Sequence, residues 1–513
     1  MTELKNEINR VNNLGVTENG AVGYKNSVNP LTTLNFQIPS MRNGVNDDIK
    51  SLFRESLETN FEYTVKWWFF IRDIREGLGE RDTFVRLYQV YFDEYPEQAK
   101  NTLSLVSEYG RWKDVVDIAF GSNCDLKNFC FKIIKNQLSE DIVGVQSKKS
   151  ISLLAKWMPS INASKKARVR AIELIKYLGM NNCSYRKMLS KLREYIDVLE
   201  RKTCLNKWEE IDYNKVCSNA NLRYSNAFMK HDSERRREYL ESLLNPNSGT
   251  KMNASVLYPH EIWHKYCKDI YSHNIKKDDA LESMWSNLKE MGDCGNTMVV
   301  VDGSGSMAGN IPYSSIRAID VSRSLGVYFA ERCTGEFHNK MIEFSADPQF
   351  IDIDGKDNLC DKISHMNKFT DCTNTNIEAV FNMILKTAEK YNIPQSDMPE
   401  RILIVSDMEF DYATTQGGWS YDSNKFDWVP LFEGIKKDYD DKGYKLPKLV
   451  FWNVNSRTNT IPLNENKAGV ILVSGFSVNT IKMVMSNNLD PWEVLKETLD
   501  SDRYKIVDEK IKI

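Results

Sequence analysis

The sequence predicts a two-part chain: a helical array followed by a doubly wound α/β domain. Three observations predict it. From about Asp47 to Glu290, apolar residues recur at three-to-four spacing, the period of one helix face. After about Asn296 the rhythm changes to strand, helix, strand, helix, which implies a mostly parallel sheet covered on both faces. The first of those strands, Met298–Val301, runs directly into Asp302-Gly303-Ser304-Gly305-Ser306. A strand end is where sheets of this class place their ligands.

The elements follow in order. Residues 1–46 are rich in Asn, Gly, Thr and Pro, and Thr17–Tyr24 carries turn signals rather than helix periodicity. This segment is expected to be loop-rich and to pack on the helical domain. Residues 47–295 form the expected helical array. Phe61, Val65, Trp68, Phe69 and Ile71 mark one helix, and Phe84, Leu87, Tyr88 and Tyr91 the next. Gly77-Leu78-Gly79 separates the two, and Tyr95-Pro96 ends the second. Similar blocks continue to about residue 272. Paired short helices in series suggest an irregular, HEAT-like solenoid, although no strict repeat period is present. In residues 296–513 strands are expected at Thr297–Val301, Lys340–Phe344, Arg401–Val405, Lys448–Trp452 and Gly469–Val473. Helices are expected at 315–331, 376–391, 428–439, 480–485 and 491–499.

Composition narrows the class. The chain has 513 residues, 27% charged and 41% apolar, with a net charge of -3. That suits a soluble multidomain protein and names no partner. No apolar run of about 18 residues occurs, so no membrane-spanning helix is expected. The first residues, Met1–Glu7, lack a signal pattern, so an intracellular, cytoplasmic location is expected. Ten cysteines occur without C-x-x-C pairs. Cys124, Cys130, Cys183 and Cys204 read as reduced, mostly buried thiols.

One carboxylate and two hydroxyls at alternate positions of Asp302-x-Ser304-x-Ser306 outline a site for a hard cation, Mg²⁺ or alternatively Mn²⁺ or Ca²⁺, which takes oxygen ligands. Other strand ends must complete it. Thr373-Asn374-Thr375-Asn376 opens one helix, and Val405-Ser406-Asp407 closes another apolar strand. This ordered set resembles the metal-ion-dependent adhesion site of von Willebrand factor A-type domains, over about residues 296–500. The resemblance implies metal ligation by Ser304 and Ser306, charge from Asp302 and Asp407 through bridging waters, and Thr375 completing the protein shell, with Thr373 as its competitor. It also implies an open coordination position for an acidic group of a protein partner. Glu409 and Asp411 read as a solvated acidic loop beyond the site.

A second metal motif competes. His260-Glu261-Ile262-Trp263-His264 matches the zinc-hydrolase pattern H-E-x-x-H, with Glu282 at a distance suited to a third ligand. Pro259 places these histidines in the first turns of a helix, which favours a capped structural helix. No phosphate loop, dinucleotide fingerprint or nucleophile elbow occurs. A non-enzymatic binding or scaffold protein is therefore expected, with a zinc hydrolase as the alternative.

Longer blocks widen the resemblance. They include Thr17–Ala21, Arg72–Arg81, Tyr109–Asp114, Tyr258–Ile262, Ser406–Asp411 and Val473–Ser477. Together they resemble an uncharacterised full-length family of plants, fungi and giant DNA viruses of the mimivirus kind. Its layout is similar to that of the Ro autoantigen family, whose TROVE module is a ring of helical repeats that binds small structured RNAs. That implies an RNA or ribonucleoprotein partner and, for a viral chain, a location in the host cytoplasm or virion. The residues offer a footprint for one: Val145–Leu240 holds 21 Lys and Arg against 10 Asp and Glu. Lys165, Lys166, Arg168, Arg170, Arg186, Lys187, Arg235, Arg236 and Arg237 are the candidate phosphate contacts, with Tyr177, Tyr185, Tyr224 and Phe228 interleaved. The competing expectation is solvated helix faces with local pairs, such as Arg193 with Asp197 and Arg235 with Glu238.

Overall fold

A computed structural model describes residues 13–512 apart from 26, 28, 43, 245–247, 251, 253, 255, 268–274, 291–293, 313, 345, 370–373, 412–430, 458–460, 462–469, 478, 480 and 485–489. The chain divides into two compact units. One comprises residues 1–56 and 254–498, and the other residues 57–253 and 499–513.

The first unit is built on a six-stranded sheet. Two short strands, β1 (Leu14–Val16) and β2 (Val22–Tyr24), pair with each other outside it. The sheet strands are β3 (Thr297–Asp302), β4 (Lys340–Phe344), β5 (Gln349–Asp352), β6 (Arg401–Ser406), β7 (Lys448–Asn453) and β8 (Val470–Ser474). Their spatial order is β5-β4-β3-β6-β7-β8. All neighbours run parallel except β4 and β5. β3 and β6 are central and buried along their whole length. That explains their unbroken apolar sequence, since helices cover both faces of a parallel sheet. Helix Ala318–Ala330 is buried at every position. Gly326 makes its close approach to β3 possible, because a Cβ there would fall 2.5 Å from the Val301 side chain. On one side Val300, Ile342, Ile404 and Phe451 pack with Val380, Phe381, Phe432 and Ile435 of the helices Ile377–Tyr391 and Leu431–Asp441.

The N-terminal segment departs from expectation. It belongs to the sheet unit, not to the helical array. Gly20 bridges Asp411, and Tyr24 bridges Ile461 in an antiparallel sense. Leu14, Val22, Tyr24 and Phe36 join the sheet core. Their apolar area is buried there, and the residues between them are too few to show periodicity in sequence. Asn29 then caps a helix at Pro30–Phe36, donated to by the Leu31 N–H at 2.8 Å. Helices Pro259–Tyr266 and Asp279–Ser286, expected in the array, also lie in this unit. The edge strand β5 was not expected: its four residues are too short to show alternation.

The second unit is helical. Its aromatic core gathers Trp68, Phe69, Phe84, Tyr88, Tyr91 and Tyr109, with the Trp68 and Phe84 rings stacked at 4.3 Å. The Arg72 guanidinium is buried against Asp114, at 2.8 Å from Nε and 2.6 Å from Nη2. Gly110 leaves the space for this pair, because a Cβ would land on both partners. The blocks Arg72–Arg81 and Tyr109–Asp114 thus meet in one ion pair. Arg503 adds a second, with both Asp73 oxygens. Among the described cysteines, Cys124, Cys183 and Cys204 are exposed and Cys130 is buried, so the expectation of mostly buried thiols fails for three of those four. Among the described residues no helix is long and apolar enough to cross a membrane.

Candidate metal centre

The site grows from the ends of β3 and β6, which pair in parallel register through Val301 and Val405. Both strands therefore deliver their next residues to the same edge of the sheet. Asp302 is fully buried. Its Oδ1 accepts the Ser304 N–H at 2.9 Å, which turns the loop, and its Oδ2 accepts the Ser406 hydroxyl at 2.5 Å. The Ser304 and Ser306 hydroxyls lie 3.0 Å apart. The Ser306 hydroxyl also favours the charged form of the Asp407 carboxyl. Asp302, Ser304 and Ser306 thus form one hydrogen-bonded cluster with Ser406, and the next residue, Asp407, bears on Asp302 through its charge.

The loop is held from behind. Gly303 donates its N–H to the Phe344 carbonyl at 2.9 Å. A Cβ at Gly303 would sit 2.9 Å from the Glu343 side chain. Glu343 is fixed in turn by Arg323, at 2.8 and 2.6 Å, with both side chains buried. Ser322 anchors the two strand ends together, its hydroxyl within reach of the Asp302 carbonyl at 3.2 Å and the Val405 carbonyl at 3.3 Å.

Thr375 joins through other residues. It is buried, and its hydroxyl accepts from Asn19 Nδ2 at 3.2 Å. The same amide donates to the Glu409 carbonyl at 2.7 Å. Asp411 Oδ2 accepts the Thr375 N–H at 3.0 Å. Thr373, its competitor, lies outside the described residues. Glu409 is not in a solvated loop. It is fully buried, and its carboxylate accepts the Glu18 N–H at 2.8 Å and the Arg457 N–H at 2.7 Å. Glu18, Asn19, Ser406 and Arg457 escape sequence reasoning because each comes from a distant strand end or from the N-terminal turn. The block Thr17–Ala21 was the one signal, and it carried no role.

The electrostatics test whether these residues suit a cation. Burial pushes the Asp302 carboxyl up to about 7, and the neighbouring Asp407 charge pushes it the same way. Burial likewise raises Asp407 to about 6, against the pull of the Ser306 hydroxyl and Arg457. Two desolvated carboxylates facing each other cost free energy unless a positive charge joins them. Among the described residues no three His, Cys, Asp or Glu side chains gather as a metal-ligating group. Asp302, Asp407 and the Ser304 and Ser306 hydroxyls offer hard oxygens of the kind Mg²⁺ or Mn²⁺ takes, whereas the Thr375 hydroxyl is engaged by Asn19.

The H-E-x-x-H stretch is engaged otherwise. Glu261 accepts the Tyr258 N–H at 2.9 Å, closing a capping box at the start of helix Pro259–Tyr266. His264 Nδ1 lies 2.9 Å from Asp320 Oδ2. His260 is buried between the Tyr258 ring, stacked at 5.4 Å, and the Phe476 edge at 5.1 Å. Glu282 accepts the N–H groups of Leu359 and Cys360. Each proposed zinc ligand but His260 is thus bound to protein, and His260 is packed among rings.

The nine basic candidates of the helical unit separate by environment. Lys165, Lys166, Arg168, Arg186, Lys187 and Arg237 are exposed. Arg170 is paired with Asp117 at 2.8 Å. Arg235 donates to the Trp208 and Ile211 carbonyls and pairs with Asp232, not Glu238. Arg236 is fully buried, its guanidinium 4.9 Å from the Tyr213 ring and 5.3 Å from those of Phe228 and Tyr239. Arg236 is thus part of the core, and Arg235 is half-exposed with its guanidinium engaged by the chain. Arg193 donates to the Ala155 and Met158 carbonyls rather than pairing with Asp197. A groove of about 1710 Å³ in the same unit is bordered by Arg111, Lys156, Arg186, Arg201, Lys202 and Arg223 but also by Glu108, Asp197, Glu200, Glu210 and Asp212, and Lys156 and Lys202 are paired with Glu200 and Asp197.

Two models of uncharacterised families match the chain: "Domain of unknown function (DUF2828)" over residues 165–296 and "Domain of unknown function (DUF7788)" over residues 296–512. The chain is similar to "Uncharacterized protein L728" of Acanthamoeba polyphaga mimivirus, 28% identical over 525 residues that cover 95% of this chain and 87% of the relative. The expected likeness to proteins of mimivirus is met there. Among solved structures it is similar to the crystal structure of Deinococcus radiodurans RO (RSR) protein, with a TM-score of 0.46 and 11% identity over 88% of this chain and 93% of that one.

Proposed function

We propose that the sheet unit is a divalent-cation-dependent binding module of von Willebrand factor A type, and that the protein is a scaffold rather than an enzyme. The observation that carries this reading is the pair of buried carboxylates, Asp302 and Asp407, at neighbouring strand ends within a cluster of hydroxyls. Ser304, Ser306 and Thr375 would hold Mg²⁺ or Mn²⁺ together with that pair. The bound ion supplies a Lewis-acidic point to which an acidic group of a protein partner can attach. Few direct carboxylates around the ion would leave it electrophilic enough to want one. The chain's own residues orient the site: Ser406 and Ser322 fix the strand ends, and the Arg323–Glu343 pair holds the loop at Gly303. Mg²⁺ should raise the melting temperature of the wild type but not of the Asp302→Ala, Ser304→Ala double variant. An equal rise in both overturns the reading.

A second reading concerns the helical unit: a polyanion, RNA foremost, bound on its exposed basic helix faces. It is favoured by the exposed Lys165, Lys166 and Arg168 at the start of the helix Lys165–Leu178. Nucleic acid recovered with the purified protein, and lost on reversing those three charges, is the expected result. Protein free of nucleic acid that also fails to shift a labelled RNA leaves the cation-dependent module alone.

A further inference from the structure

We propose that Arg457 is a built-in competitor of the divalent cation at Asp407, and that Glu18 sets how strongly it competes. This rests on the cation-site reading. One nitrogen, Arg457 Nη2, lies 3.4 Å from Asp407 Oδ2 and 2.8 Å from Glu18 Oε2. The shorter, better contact is with Glu18, and the longer one is with the carboxylate that the cation needs. Asp407 is fully buried, whereas the Arg457 and Glu18 side chains are 41% and 53% exposed. The buried partner lies in the interior, and the two exposed partners meet at the surface above it.

A single side chain holds both halves of this device. Glu409 accepts the Arg457 N–H on Oε1 and the Glu18 N–H on Oε2. Ser456 adds its N–H to Asn453 Oδ1 at 2.9 Å, which fixes the approach of the chain to Arg457. Asn19, next to Glu18, bonds Thr375 Oγ1 and the Glu409 carbonyl. The N-terminal turn is thus tied to the predicted ligands on one side and presents Glu18 to Arg457 on the other.

Charge decides what this arrangement does. A guanidinium beside Asp407 offsets the charge that would otherwise attract the ion, so a cation entering the site must overcome it. Glu18 draws the guanidinium outwards and lowers that opposition. Arg457 and the cation are alternatives at Asp407, and Glu18 biases the choice toward the cation.

The two side chains therefore have opposite expected effects, read as Mn²⁺ affinity by titration calorimetry on the full chain. Arg457→Gln should tighten Mn²⁺ binding about three- to tenfold, as removal of one nearby charge at a partly exposed position allows. Glu18→Gln should weaken it about two- to fivefold, because Arg457 then leans wholly on Asp407. Both effects should shrink in 0.5 M salt. Unchanged or weaker binding in Arg457→Gln, or a shift of the same sign in both variants, overturns the proposal even when the wild type binds Mn²⁺. Failure of the wild type itself to bind Mn²⁺ overturns the cation site, and the competition with it. Glu18 is exposed, so Glu18→Gln reads the coupling even if Arg457→Gln does not fold.

Discussion

Asp302 and Asp407 end neighbouring parallel strands, and the residue before Asp407, Ser406, donates its hydroxyl to Asp302 Oδ2. The contact holds the carboxyl ends of the two central strands together and keeps Asp407 beside Asp302. Both are buried, and burial disfavours their charged forms.

The pH dependence of the metal-free protein follows from that. Both folded-state values are raised above the ordinary 3.8 of an aspartate. In the window between, the folded chain keeps protons that the unfolded chain has lost. The contribution to stability is therefore complete below about pH 4 and lost as pH rises toward 7. In EDTA, Asp302→Asn should remove this penalty and raise the melting temperature at pH 8 by roughly 2–6 °C, while abolishing any response to Mg²⁺. A lower melting temperature at pH 8 for the Asn variant would contradict the strained pair.

Gly303 tests how the loop is supported. A Cβ there would meet Glu343, which the buried Arg323 prevents from moving aside. Gly303→Ala should cost about 1–3 kcal/mol of stability in denaturant unfolding and weaken the Mg²⁺ response. Gly309→Ala is the control: its nearest neighbour, the Ser306 carbonyl, is 3.4 Å away and the site is exposed. Equal losses at both glycines would show that Glu343 is not the obstacle.

The run Arg235-Arg236-Arg237 separates structure from recognition. Arg236→Ala removes a buried cation from among three rings and should destabilise the helical unit by about 2–4 kcal/mol. Arg237→Glu, at an exposed position, should leave the melting temperature within about 1 °C. If RNA binds this face, Arg237→Glu weakens it and flattens the salt dependence. A large loss of stability from Arg237→Glu would reverse the assignment.

What the sequence made legible was what it encodes locally. The apolar run before Asp302 and the Asp-x-Ser-x-Ser spacing need no knowledge of the rest of the chain. The parallel sheet could be read because buried strands and covering helices alternate in period. The partners of the site could not. Ser406 precedes Asp407 by one residue, yet its role appears only when β3 lies beside β6. Glu409 looked like part of a solvated acidic loop because its acceptors' donors, Glu18 and Arg457, arrive from opposite ends of the unit. Arg236 looked like its two neighbours because burial of one arginine in three is a tertiary event. β5 pairs with β4 through only four residues, too few for a strand pattern.

His260 provides the remaining test, and it bears on the H-E-x-x-H motif. Burial holds its imidazole down to about 3, against the pull of Asp320, with Arg42 and His264 pushing the same way as burial. The Arg42 guanidinium lies 3.6 Å from the Phe476 ring that meets His260. A folded value below the ordinary 6.5 means that the neutral ring favours folding. Its contribution is present above about pH 6.5 and is lost as pH falls toward 3. His260→Phe keeps an aromatic ring beside Tyr258 and Phe476 without a titrating group. It should be less sensitive to acid than the wild type, its melting temperature falling less between pH 7 and pH 4.5, although its extra volume costs stability at pH 7. His264→Ala should act differently, because it removes the contact with Asp320 from a helix end that Arg317 also holds. A zinc site would couple the two histidines instead. Stoichiometric zinc in the purified wild type, lost equally in His260→Phe and His264→Ala with a parallel drop in melting temperature, would reinstate the hydrolase reading over the capped helix.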